Sequence, residues 1–259
     1  MTSPTPSTGR LAGRTALVTG STSGIGAATA RLLAAEGATV AVSGRDAVRG
    51  GAVVAAITAA GGHAVFVPAD LGGSYADLRA FAAAATAALG GRVDVLVNNA
   101  GIYPVTATAD LPDGDLDAML AVNVRAPHVL VGELVPAMAG RGAGAVVTIG
   151  SWMASVGSPF GAMYTATKAA AEQLTRAWAA EFGQRGVRVN TVAPGVTRTE
   201  GNAAAGEVLD AMTATTPAGV PVRPEDVARA VLFLASDDAA MVHGATLYVD
   251  GGITATKLA

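Results

Sequence analysis

The chain of 259 residues predicts an α/β fold, a single doubly wound domain whose seven parallel strands form one sheet with helices on both faces. Three observations predict it. From Thr15 onward, short β-branched runs alternate with Ala-rich, helix-forming segments, the rhythm of repeated βαβ units. Runs such as Val95-Leu96-Val97 and Val146-Val147-Thr148-Ile149 are apolar throughout, as strands covered on both faces must be. Hydrophobic residues make up 51% of the chain, enough for one large core, and neither a repeat nor a linker of changed composition divides it.

Residues 1–10, MTSPTPSTGR, are rich in Ser, Thr and Pro and lack the apolar core of a secretory signal, so they read as a disordered tail ahead of a domain at 11–259. TALVTG is the first strand and ATVAVSG the second. HAVFVPAD, VDVLVNNAG, GAVVTIGS, VRVNTVAPG and ATLYVDGG follow, each after a segment able to form a helix. The stretch 197–222 has no clear periodicity and carries Gly201, Gly206, Pro217, Gly219 and Pro221. A loop of that length in a compact domain is usually functional or mobile, so it is expected to be a lid.

Formal net charge is −3, which provides no basic footprint for nucleic-acid phosphates or anionic lipid. There is no cysteine, hence no disulfide scaffold, thiolate metal site or cysteine nucleophile, and a reducing, cytoplasmic setting fits. His63, His128 and His243 are far apart in sequence and suggest no metal cluster. Two uncharged stretches, 50–69 and 142–167, raise the question of a membrane. Gly61-Gly62 breaks the first and Gly157-Ser158-Pro159 the second, so neither reads as a spanning helix.

Chemistry begins at the first turn. Gly20, Thr22, Ser23, Gly24, Ile25 and Gly26 lie in TGSTSGIG, directly after a strand and at the start of an Ala-rich segment. Glycines there allow a tight turn and close approach to a pyrophosphate, whose charge meets the amides and positive end of the helix; a plain strand-to-helix turn needs Gly as well. NAD-binding folds usually end the second strand with an acid that binds the ribose hydroxyls. Gly44 stands at that place with Arg45 beside it. Gly44 leaves room for a 2′-phosphate and Arg45 can fork onto its oxygens, so NADP(H) is favoured over NAD(H), the plainer reading of Arg45 being a solvated loop arginine.

Tyr164 and Lys168 are four residues apart in a helical segment and share a face. A nearby ammonium would favour the phenolate and make Tyr164 a better proton shuttle, although such a pair is also ordinary on a helix surface. Ser151 closes the run AVVTIGS at the carboxyl edge of the sheet, where open α/β sheets bind ligands, and its hydroxyl could hold a carbonyl. Asn98-Asn99-Ala100-Gly101 ends another strand at that edge. Asn123 lies in a helical segment and, on its own, reads as a buried structural amide.

TGSTSGIG at 19–26, NNAG at 98–101, Ser151, YTATK at 164–168 and Pro194-Gly195 together resemble the short-chain dehydrogenase/reductase family, over nearly the whole chain from Leu11 to Gly252. The resemblance implies a Rossmann fold and an oxidoreductase that interconverts a ketone and a secondary alcohol. In it Tyr164 acts as general acid or base, Ser151 orients the carbonyl, Lys168 binds the nicotinamide ribose and depresses the Tyr164 pKa, and Asn123 holds a water that links Lys168 to solvent. It also implies Asp70 and Leu71 at the adenine, with an N-cap as the plainer role for Asp70. Asn98, Ala100 and Gly101 would lie along the cofactor ribose and backbone, Pro194, Gly195 and Val196 at the carboxamide, and Thr197 or Thr199 near the phosphates.

Of 5 Phe, 2 Trp and 4 Tyr, Tyr103, Trp152, Phe160 and Tyr164 fall around this edge, with Met153 and Ser151 among them, which suggests an apolar pocket for a bulky ketone. A rival within the family is a 3-oxoacyl thioester reductase that serves an acyl carrier protein. The two positions where such relatives tend to show arginine are Gly142 and Ala180 here, with Arg141 and Arg176 nearby. A rival of another class is an NADP(H)-binding sensor or structural subunit, which would have no need of Ser, Tyr, Lys and Asn together. By resemblance the assembly is a homotetramer, or a homodimer, with contacts at the helix after Tyr164 and at ATLYVDGG.

Overall fold

The computed structural model describes residues 9–104 and 106–256. All seven expected strands form: β1 (Thr15–Val18), β2 (Thr39–Gly44), β3 (His63–Pro68), β4 (Val95–Asn98), β5 (Gly144–Ile149), β6 (Val187–Pro194) and β7 (Thr246–Val249). They make one parallel sheet in the order β3-β2-β1-β4-β5-β6-β7. The chain winds outward from β1 in one direction, then crosses to β4 and winds in the other. The reversal leaves a crevice beyond the carboxyl ends of β1 and β4, where such sheets bind ligands.

Helices cover both faces because the strands are apolar on both. Alternate residues Val40, Val42, Val95, Val97 and Val147 face a core shared with α1 (Gly24–Ala35), α2 (Ala47–Ala59) and α8 (Pro224–Ala235). Leu17, Leu96, Val146 and Val189 face the other core, beneath α3 (Tyr75–Ala88), α5 (Ala126–Gly140) and α6 (Ala162–Phe182). Each fully buried Leu or Val contributes on the order of 1.5–3 kcal/mol through apolar burial.

A short α4 (Asp113–Leu120) runs through a five-residue π-helical turn, residues 121–125, into α5. The combined helix Asp113–Gly140 is long and apolar enough to cross a membrane by length and composition, a stretch different from the two singled out in the sequence. Here Leu130, Val131, Leu134, Val135 and Met138 are packed into the second core.

Two boundaries differ from expectation. Of the tail assigned to 1–10, residues 1–8 lie outside the described residues, whereas Gly9 packs on the Glu36 backbone and the Arg10 amide donates to Glu36 Oε2 at 2.9 Å, so these two belong to the fold. The stretch expected as an irregular loop at 197–222 contains a 3-10 turn (Glu200–Ala205) and α7 (Gly206–Thr213). Its ends are joined by a parallel bridge between Thr197 and Val222, and Arg198 reaches across to Asp210 at 2.5 Å. Frequent Gly and Pro hid this helix from a periodicity argument, because two turns are too few for one to register.

Candidate active site

The first turn is built from backbone. Gly20 and Gly24 have φ of 63° and 53°, in the left-handed region where a side chain is strained. A Cβ on Gly20 would lie 2.8 Å from Ala100 Cα, and one on Gly26 would lie 2.5 Å from Asn99 Nδ2. The turn is therefore pressed onto the end of β4. Asn99 fastens it, donating to the carbonyls of Thr19 (2.8 Å) and Gly20 (3.0 Å), while Thr19 Oγ1 accepts from the amides of Asn99 and Ala100. Ser23 occupies the N-cap of α1 but its side chain makes no capping bond, so the first amides of α1, Ile25 and Gly26 among them, keep their donors free for an anion.

At the end of β2, a Cβ on Gly44 would lie 2.7 Å from the Thr22 methyl carbon. An acid at 44 would collide with the glycine-rich turn. Arg45 is exposed and, among the described residues, makes no ion pair, whereas Arg49 is bound to Asp46 at 2.7 Å. Asp70 is not the N-cap of α3: Ser74 takes that place in a capping box with Asp77. Asp70 Oδ1 accepts instead from the Gly72 amide at 3.0 Å, within the loop that follows β3, and Leu71 is buried behind it. Asn98 is buried and its side-chain amide has no protein partner among the described residues.

The other half of the site is built from side chains. Ser151 follows β5 and is 5% exposed, its Oγ accepting from the Met153 amide at 3.2 Å. Helix α6 begins after Gly161, whose φ of 77° turns the chain and whose amide donates to Thr106 O at 2.9 Å. Tyr164 is thus in the first turn of α6 and Lys168 one turn below it. Lys168 Nζ is buried, donates to Ile149 O at 2.8 Å and lies 5.9 Å from the Tyr164 ring centroid. Asn123 sits in the π-helical turn, a distortion frequent at functional sites. Its amide accepts from Ile102 N (2.9 Å) and donates to Ile102 O (2.9 Å) and Thr167 Oγ1 (3.1 Å), so it locks the strand β4 exit to α6.

Burial governs both titrating groups. It pushes the Tyr164 phenol above its ordinary value; the Ser151 hydroxyl pulls the other way and Tyr103 adds to the rise. It also pushes the Lys168 ammonium down to about 8. The expected depression of Tyr164 by Lys168 is thus absent in this arrangement. Desolvation favours the neutral form of each, and the lysine points its donor at a carbonyl.

A cavity of about 240 Å³ joins these parts. Ser151, Tyr164 and Lys168 line one wall, with Ile25, Asn99 and Gly101 from the side of the glycine-rich turn, Pro194 at the end of β6, and Gly195, Thr197 and Thr199 after it. Tyr103 covers it, its ring edge-on to Tyr164 at 6.4 Å. Val196 is buried behind Pro194-Gly195. A neighbouring cleft holds Thr22, Ser23 and Gly24 against Thr199, which both share, with Arg31 and Arg198 at its rim.

Of the pocket residues expected from sequence, Trp152, Met153 and Phe160 do not line the cavity. Trp152 and Met153 lie in the 3-10 turn after Ser151, and Phe160 is exposed on the loop before α6. Asn99, Thr19 and Asn202 were not singled out. Asn99 stood in plain view within NNAG; Asn202, which lines the cavity, donates to Thr197 O (2.8 Å) and accepts from the Thr199 amide (2.7 Å), a contact made across a turn that the sequence left unassigned.

A glycine-rich turn at the switch point of a doubly wound sheet, facing a buried Ser and Lys and a half-buried Tyr, defines a nucleotide-dependent oxidoreductase of the Rossmann class. The chain belongs to the short-chain dehydrogenase/reductase family. Residues 20–254 match the family model described as enoyl-(acyl carrier protein) reductase. It is 39% identical over 248 residues to the D-threitol dehydrogenase of Mycolicibacterium smegmatis, covering 95% of this chain and 94% of that protein. A solved structure of a short chain dehydrogenase/reductase family protein, 48% identical, superposes with a TM-score of 0.87 over 95% of this chain and 100% of the other. The gluconate 5-dehydrogenase of Burkholderia cenocepacia, solved with NADP and tartrate, is 33% identical with a TM-score of 0.89, over 95% and 97%. The protein is accordingly an enzyme of nicotinamide-dependent oxidoreduction at CH–OH groups.

Proposed function

We propose that the protein reduces a ketone to a secondary alcohol, reversibly, with NADP(H) as its preferred cofactor. The meeting of Ser151, Tyr164 and Lys168 in one cavity beside the glycine-rich turn carries this reading. A dinucleotide fits the residues present: free amides at the start of α1 face a clefted space, Asn98 offers an unpartnered buried amide, and Thr199 closes over Gly24, its methyl 3.4 Å from where a Cβ would stand. Gly44 and Arg45, which makes no ion pair among the described residues, favour the 2′-phosphorylated form.

When bound, the cofactor supplies or accepts the hydride at the carbonyl carbon. Tyr164 delivers the proton to the carbonyl oxygen, and its raised pKa keeps that proton in place at neutral pH. Ser151 donates to the same oxygen and aligns it. Lys168 holds a donor close to Gly101, where its Nζ stands 3.4 Å from a hypothetical Cβ, as does Asn123 Oδ1. By the family resemblance it would hold the nicotinamide ribose, and it can recharge Tyr164. Thr197, Thr199 and Asn202 order the wall that closes the site, and the 197–222 excursion is the part able to open as a lid.

A small ketone or alcohol, rather than the bulky ketone expected from the aromatic residues, suits the cavity, since Trp152, Met153 and Phe160 do not line it and Tyr103 is its cover. The carrier-protein reading finds less support: Arg141 is engaged by Val93 O (2.7 Å) and Asp94, and Arg176 by Gln173. A cytoplasmic homotetramer or homodimer completes the reading, supported by a cysteine-free composition, by exposed small residues Ala166, Ala169 and Ala177 along α6, and by β7 at the sheet edge. Titration of the purified protein with NADPH and NADH, followed by a panel of ketones, tests it. Tighter NADPH binding with turnover supports the reading; NADH preference overturns the role of Arg45, and binding without turnover returns the sensor.

A further inference from the structure

The π-helical turn that holds Asn123 also reaches the carboxyl edge of the sheet beside Gly44, where β3 pairs with β2. Arg125, two residues on, extends to the loop between β3 and α3, where its Nη2 donates to the carbonyls of Gly72 (2.9 Å) and Gly73 (2.5 Å). That loop carries Asp70 and Leu71. Asp70 is shaped by the same two glycines, accepting from the Gly72 amide at its Oδ1 (3.0 Å) and from the Gly73 amide at its carbonyl (3.2 Å).

The guanidinium is itself fixed. Its carbon lies 5.2 Å from the centre of the Tyr75 ring, and Arg79, anchored to Glu133 at 3.0 Å, lies 6.0 Å from the same centre. Among the described residues no carboxylate pairs with Arg125; backbone carbonyls and an aromatic face are its partners. An arginine placed this way acts on loop conformation. A planar, multiply donating group can hold two successive carbonyls in one geometry, which a lysine's point charge cannot do as well.

We propose that Arg125 is a positioning residue for the adenosine half of the cofactor, acting by holding the 70–73 loop in the shape that presents Asp70. The inference rests on the dinucleotide reading above. Asn123 keeps its three bonds to Ile102 and Thr167 without help from Arg125, so the catalytic end of the site is spared when the arginine is changed.

The test compares the full-length wild type with Arg125→Met and Arg125→Lys. Dissociation constants are measured for NADPH and for adenosine 2′,5′-bisphosphate, which probes the adenosine half alone, together with kcat at saturating NADPH. Arg125→Met raises both constants about tenfold, Arg125→Lys raises them less, and kcat stays within about twofold, the pattern of lost ground-state binding. Unchanged binding of adenosine 2′,5′-bisphosphate by Arg125→Met, or a fall in kcat without a change in affinity, overturns the proposal. Should Arg125→Met fail to fold, Arg125→Lys, which retains a donor and a cation beside Tyr75, carries the same comparison. A wild type that binds none of NADPH, NADH and adenosine 2′,5′-bisphosphate overturns the dinucleotide reading itself, and is recognised before any variant is made.

Discussion

The glycine-rich turn after β1 and the first turns of α6 lie at the same edge of the sheet and are made of opposite materials. The turn works through what it lacks: without side chains at Gly20 and Gly26 it presses onto the end of β4 and leaves amides bare. The α6 segment works through what it buries, an amine bonded to the Ile149 carbonyl and a phenol set between Ser151 and Tyr103. One half of the site is therefore sensitive to added volume, and the other to altered charge and protonation.

The sharpest way to separate the halves is Tyr164→Phe. It removes the proton donor without changing volume much, so turnover should fall by about 10²–10⁴ while NADPH binding in a fluorescence titration is retained. Retained turnover would remove Tyr164 from the chemistry. In the same half, pH profiles should split by direction. With the phenol raised, ketone reduction is supported at neutral pH and declines as pH climbs through the Tyr164 pKa, whereas alcohol oxidation, which needs the phenolate, rises with pH.

Lys168 offers a stability test of its burial. Its value of about 8 in the folded protein lies below the ordinary 10.5, so between these the unfolded chain binds more protons and stability rises with pH. Across that window the wild type should gain up to about 3 kcal/mol relative to Lys168→Met, read from denaturant midpoints. A difference independent of pH would show that the amine is not desolvated.

In the other half, Gly26→Ala should cost about 1–3 kcal/mol of stability, because the new methyl meets Asn99 and the Gly20 carbonyl, and should weaken NADPH binding with it. Arg45→Ala, at an exposed position that makes no ion pair among the described residues, should leave the melting temperature alone and raise KM for NADPH about tenfold with little effect on NADH. The smallest effect belongs to Asp210→Asn, which breaks an exposed ion pair with Arg198 and should shift stability by less than about 1 kcal/mol.

How much of this could be read in advance follows the same division. The seven strands, their alternation with helices and the glycine-rich turn were legible because each depends on local pattern: apolar runs, Ala-rich segments, glycines after a strand. Tyr164 and Lys168 were legible as a pair because four residues on a helix share a face. Their environment was not. The bond from Lys168 to Ile149 O spans 19 residues, and the burial that raises one pKa and lowers the other is a property of packed neighbours. Trp152, Met153 and Phe160 were misplaced for a related reason: nearness to Ser151 and Tyr164 in sequence says nothing of direction once a 3-10 turn and an exposed loop intervene.

The sequence by itself determined the fold class, the order of its elements and the residue types available at the sheet's carboxyl edge, since periodicity and backbone constraint are local physics. The tertiary structure alone decided that Asn99 fastens the first turn, that Asn202 joins the cavity wall, that Ser74 rather than Asp70 caps α3, and that one π-helical turn ties Asn123 to Ile102 and Arg125 to the 70–73 loop. Those contacts join residues distant along the chain or set the hydrogen-bond partners of a loop, and hydrogen bonding and desolvation act on what is near in space.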